Sequence, residues 1–135
     1  MKLTLAALAS TLCLALPAMA SAEAFGCKDP APVFAAAGAS TFDLPKLAQT
    51  VGNAELDGRS LRPVAQQVRT DFPEASEADV ADIMITAFCT YLNDDAPASH
   101  RSQSNIRNFE REVYGAVFGG AAPESYQCHD WLCGD

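Results

Sequence analysis

Lysine and arginine are scarce in this chain. Nine of them face seventeen aspartates and glutamates, for a formal net charge of −8 over 135 residues. Nucleic-acid binding relies on cationic side chains that neutralise phosphates, so no nucleic-acid partner is expected. Anionic membrane surfaces are disfavoured for the same reason. Histidine is limited to His100 and His129, and tryptophan to Trp131. A Gly-rich phosphate loop, a G-x-S-x-G nucleophile elbow and a C-x-x-C redox pair are all missing. Each of those motifs would be needed to argue the matching enzyme class. Alternating apolar and polar residues are absent too, so strands are not expected. Beyond the N-terminal segment, no apolar run approaches the roughly 20 residues that span a bilayer. No internal repeat, heptad array or long low-complexity tract is found.

What is present starts at the N-terminus. Lys2 is followed by a nearly unbroken apolar run from Leu3 to Leu16, then Pro17, Ala18-Met19-Ala20 and Ser21-Ala22. A positive start, a short apolar core and small residues before a cut form the order of a secretory signal peptide. Residues 1–22 are therefore read as a cleaved signal, with the cut after Ala20 or after Ala22. The apolar run is too short for a membrane anchor. Removing 20 or 22 of the 135 residues leaves 115 or 113, which suits one domain. Loss of Lys2 leaves eight basic residues against seventeen acidic ones, a net charge of −9. That charge allows a basic protein or peptide as partner, but solubility is the expected reading of it.

Cys13 leaves with the signal, so Cys27, Cys89, Cys128 and Cys133 remain. An even number of cysteines in a small exported protein reads as two disulfides. Four cysteines allow three pairings, and sequence does not choose among them. The expected pairing is Cys27 with Cys89, and Cys128 with Cys133. The first closes a long loop, for which chain entropy gives about 4 kcal/mol. The second carries a condition. Residues five apart on a helix rise about 7.5 Å. That exceeds the roughly 7 Å limit on Cα separation across a disulfide, so the tail would have to turn there.

Periodicity organises the rest into an arm over residues 23–41, a helical bundle over 42–118 and a cysteine-bearing tail over 119–135. Lys28 to Pro32 reads as extended or turning, with at most one helical turn from Val33 to Ala37. A helix is expected from Leu44 to Val51, capped by Asp43 and stopped by Gly52-Asn53, with 53–59 as loop. Leu44, Leu47, Ala48 and Val51 share one face. The next helix runs from Leu61 to Phe72 with Ser60 as N-cap. Its apolar stripe is Leu61, Val64, Ala65, Val68 and Phe72. Ser76 and Asp79 form a capping box before a third helix, which is apolar on most sides and so is expected at the centre. Asp82, Thr86 and Thr90, four apart, give it one polar stripe. A fourth helix runs from Ser104 to Phe118 on Ile106, Phe109, Val113 and Val117, with Gly119-Gly120 as its end. Tyr126 and Trp131 are expected to fold back onto the bundle. The fold class is all-α: a small disulfide-stapled bundle of about four helices.

Chemistry-bearing constellations are few. Cys128-His129-Asp130-Trp131-Leu132-Cys133 resembles the His-Asp segment of secreted phospholipase A2. That family's order is Cys-x-x-His-Asp-x-Cys, whereas Cys128 here directly precedes His129 and two residues separate Asp130 from Cys133. The family's Gly-rich calcium loop is missing as well, so the match stops at four residues. Cys128, His129 and Cys133 are the candidate metal ligands, but zinc takes four ligands, and export favours disulfides over thiolates. Asn93-Asp94-Asp95 lacks the spacing of a calcium loop. Met84, Ile85, Phe88 and Tyr91 are either core or the lining of an apolar pocket, and core is expected. The run from Ala78 to Cys89 resembles a stretch of small exported bacterial helical proteins without assigned activity, and it implies no site residues. With no catalytic residues and no cofactor expected, the chain reads as a non-enzymatic exported domain. It would act by binding a protein, as an inhibitor, immunity factor or envelope-stress chaperone. A small-ligand or metal carrier is the alternative, and a small hydrolase using His129 and Asp130 comes after it.

Overall fold

A computed structural model of the chain describes residues 25–126. The signal segment and the tail from residue 127 lie outside them, and with them Cys128, His129, Asp130, Trp131 and Cys133. The described residues are all-helical, with five α-helices and no strand. They are α1 (Pro30–Ala36), α2 (Leu44–Leu56), α3 (Arg62–Asp71), α4 (Glu77–Asp94) and α5 (Gln103–Val117).

Local chemistry accounts for most helix starts. The carboxylate of Asp43 accepts from the Lys46 backbone N–H at 3.1 Å, and Pro45 sits where no helical N–H is needed. At α4 the capping box closes in both directions. Ser76 Oγ accepts from Asp79 N at 3.2 Å, and Asp79 Oδ2 accepts from Ser76 N at 2.9 Å. Ser102 caps α5 by accepting from Asn105 N at 3.3 Å.

Three local expectations are corrected. The stretch read as extended from Lys28 to Pro32 contains the start of α1. Asp29 accepts from Ala31 N at 3.0 Å, both prolines lie in the first turn, and Val33 and Phe34 are buried. Gly52 does not end α2, which continues to Leu56. The stop is six residues later at Gly58, which adopts φ +63°. There Arg59 N donates to Ala54 O at 2.8 Å and Gly58 N to Glu55 O at 3.0 Å, the paired bonds that close a helix through a left-handed glycine. At α3 the cap position falls on Leu61, without a side-chain bond, and Ser60 Oγ instead accepts from Arg62 N at 3.3 Å.

The centre of the fold is α4. It packs on α1, α2, α3 and α5, most extensively on α2. Eleven of its eighteen residues are buried, from Val80 to Leu92, because side chains meet neighbours on nearly every side. Phe88 stacks on Phe109 of α5 with ring centroids 3.8 Å apart. Gly52 is buried against Tyr91 so closely that a Cβ there would lie 2.2 Å from the ring. The stripe of Asp82, Thr86 and Thr90 is not a solvent stripe: Thr86 is 1% exposed, and Thr90 donates to its backbone oxygen at 3.1 Å.

Candidate functional site

The N-terminal arm is fastened to α4 at three points. Cys27 and Cys89 form a disulfide across 62 residues of sequence, with Cα atoms 5.7 Å apart. The Asn93 side chain clamps the backbone of Phe25: it accepts from Phe25 N at 2.7 Å and donates to Phe25 O at 2.9 Å. Lys28 pairs with Asp82 at 3.9 Å. Tyr126, after α5, reaches the same carboxylate and donates to Asp82 Oδ1 at 2.7 Å. Its ring packs on Tyr114 and Phe118 at 5.8 and 5.3 Å. Burial first, then the bond to Asp82, pushes the Tyr126 phenol well above its ordinary value. Burial and the bond to Glu110 do the same for Tyr114. Both phenols are hydrogen-bond donors here, to Asp82 and to Glu110. This cluster ties the arm before α1 and the segment after α5 to α4.

The chemistry-bearing residues singled out by sequence do not gather into a site. Asn93 is committed to the arm, and His100 stands in a single 3-10 turn after α4. Met84, Ile85, Phe88 and Tyr91 are core, each at most 4% exposed. Among the described residues no three His, Cys, Asp or Glu side chains are grouped as a metal site requires. Cys128, His129 and Cys133, the metal candidates, and His129 with Asp130, the hydrolase candidates, lie outside the described residues.

A feature that sequence reasoning missed is a cleft between α2 and α3. Both helices pack on α4, and α3 packs on α4 and α5 rather than closely on α2. The gap left between them encloses about 470 Å³. Its apolar wall is Phe34, Leu47, Val64 and Phe72. Phe34, only 1% exposed, comes from α1 and meets the Phe72 ring edge-on at 5.5 Å. Polar side chains at the cleft are Asp43, Lys46 and Thr50 from the α2 side, and Gln67 and Asp71 from the α3 side. Gln67 donates to Asp71 at 2.8 Å. Beside the cleft, Phe42 stacks on Phe34 at 3.9 Å yet remains 40% exposed. The apolar stripes containing Leu47 and Val64 were legible. The space between the stripes was not, because it depends on how two helices seat on a third.

A second hollow, between the end of α2 and α5, is shallow and polar. Glu55, Gly58, Asn108, Arg111 and Glu112 line it. Burial, then the neighbouring Glu112 carboxylate, holds Glu55 above the usual carboxylate range. The hollow has no Ser, Cys, Lys or His among its lining residues to act as nucleophile or as partner to the carboxylates. The arrangement with the better chemical definition is therefore the α2–α3 cleft, whose reactive groups are carboxylates, one ammonium and the Thr50 hydroxyl, which donates to Lys46 O at 2.9 Å. Among the described residues no helix is long and apolar enough to cross a membrane. No protein family, curated protein or solved structure matches the chain.

Proposed function

We propose that this chain is an exported, non-enzymatic helical domain, periplasmic or extracellular, that works by binding a protein partner of basic character. The observation that carries the reading is the α2–α3 cleft: an apolar wall, an exposed aromatic beside it and no reactive set around it. Exposed aromatic surface next to a concave apolar site is what interaction sites present. Export is supported by the signal order at residues 1–22 and fits a disulfide between Cys27 and Cys89, since such bonds persist in oxidising compartments. Net charge sets the sign of the partner.

A small-ligand carrier is the second reading. It is favoured by the cleft volume of about 470 Å³, which lies within the range of small-molecule sites.

The test expresses the full chain with its own N-terminus in a bacterial host and places a photo-crosslinking residue at Phe42. The expected result is a mature mass lacking 20 or 22 residues, no free thiol at Cys27 or Cys89, and one dominant protein adduct. A retained leader removes the export reading. A mature protein that yields no protein adduct, but carries a small molecule through native mass spectrometry, replaces the binding domain by a carrier.

A further inference from the structure

We infer that the α2–α3 cleft receives an apolar side chain from a segment of the partner that carries lysine or arginine on either side of it. The inference rests on the binding reading above and gives it a place and a chemistry.

The apolar part follows from the lining. Phe34, Leu47, Val64 and Phe72 present carbon, and about 470 Å³ accommodates one large side chain with room for its neighbours. Such an anchor, buried in a pocket and ringed by weaker contacts, supplies most of the affinity of a protein interface. Phe42 argues for a chain over an enclosed small molecule. Its exposed ring continues the apolar surface outside the cleft, where only an occupant that extends past the mouth would touch it.

The charge follows from the surroundings. Asp71 and Phe72, both in the cleft lining, open a run of sequence without lysine or arginine that extends to His100, and Asp71 and Glu74 are its carboxylates nearest the cleft. Glu74 comes next and lies against Gly38, in the link that leads to Phe42 and Asp43. Asp43 lines the opposite side, and Lys46 is the single cation among the lining residues. A neutral or acidic segment would bring no cation to Asp43 and Asp71, which hold hydrogen bonds from Lys46 N and Gln67 but no salt bridge among the described residues. A basic one is attracted to them, and because they are exposed they act on encounter and register more than on final affinity.

The test uses a fluorescein-labelled helical peptide of leucine and lysine, titrated by anisotropy into the full mature chain with its disulfide intact. Saturable one-to-one binding is expected, weaker by about tenfold in Gln67→Trp, which fills the cleft from the exposed side of α3. Thr50→Trp fills it from α2 and gives the same loss should Gln67→Trp disturb folding. Asp71→Asn weakens binding severalfold. Asp94→Asn, an equal charge change at the far end of the 18-residue α4, leaves it unaltered.

Equal losses in Asp71→Asn and Asp94→Asn would reduce the effect to overall charge and overturn the inference. So would unchanged binding in both tryptophan variants, or equal binding of a peptide with serine in place of leucine. An uncharged apolar dye that binds where the peptide does not would also overturn it, in favour of a ligand cavity. Failure here is separable from failure of the binding reading. A partner captured in cells as strongly by Gln67→Trp as by the unaltered chain overturns only the cleft, whereas no captured partner overturns the reading beneath it.

Discussion

The two sides of α2 make different kinds of contact. Toward α4 it presents Ala48, Val51, Gly52 and Ala54, all buried, and the helices close until the Tyr91 ring lies over Gly52. Toward α3 it presents Lys46, Leu47 and Thr50, and a cleft remains. Interhelical distance is set by the side chains at the contact, so small residues bring one pair together. The second pair is not drawn together by any such surface: α2 packs mainly on α4, while α3 divides its packing between α4 and α5. One helix therefore contributes a closed seam on one side and an open gap on the other. A packed seam tolerates little change in volume, and an open rim tolerates a great deal.

That contrast can be broken by experiment. The largest effect is expected at the closed side, in Phe88→Ala. Phe88 is 1% exposed and stacked on Phe109, and its truncation should cost about 3–5 kcal/mol in urea denaturation. A loss below about 1 kcal/mol would mean that α4 and α5 are not packed as described.

Next is a matched pair on α2 itself. Gly52→Ala should destabilise by about 1–3 kcal/mol, because the new Cβ meets the buried root of the Tyr91 ring. Removal of a mid-helix glycine would otherwise stabilise by up to about 1 kcal/mol, so the sign alone decides whether the seam is closed. Thr50→Ala, two residues away at the cleft, should change stability by no more than about 0.5 kcal/mol. Equal effects in thermal melts would erase the difference between the two faces.

The smallest effect concerns Glu55, at the polar hollow. Its folded value is raised above the ordinary 4.5 by burial and by Glu112. The folded state thus holds the Glu55 proton more tightly than the unfolded chain does. The stability this contributes is complete below pH 4.5 and is lost as pH rises through the raised folded value. At neutral pH the ionised group is a penalty. Glu55→Gln should therefore raise the melting temperature slightly at pH 7, with the gain vanishing toward pH 4. A gain of equal size at both pH values would show that the carboxylate charge is not its cause.

Where sequence and structure part company, the residues say why. Ser76 with Asp79, and Asp43 ahead of Pro45, are short-range signals, and both caps form as their spacing implies. Gly52-Asn53 carries the same local signal as a helix stop, but whether a glycine ends a helix or admits a neighbour depends on what approaches it. Here Tyr91 approaches from 39 residues away, and Gly58 makes the turn. Pro30 and Pro32 look extended by local preference, yet burial of Val33 and Phe34 draws them into α1. Tyr126 was legible as an aromatic that folds back, whereas its acceptor, Asp82, was not.

The amino-acid sequence by itself determined the all-α class, the capped starts of α2 and α4, the apolar stripes, the central helix and the shortage of cations. These follow from periodicity, capping and composition, which act over a few residues or over the chain as a whole. Of the three possible cysteine pairings the structure makes the expected Cys27–Cys89, and tertiary structure alone decided that Asp82 holds both Lys28 and Tyr126 and that α2 and α3 stand apart over Phe34. Each of these depends on the distance between elements far apart in sequence. Such distances are set by how all the stripes share one central helix, and no single stripe contains that information.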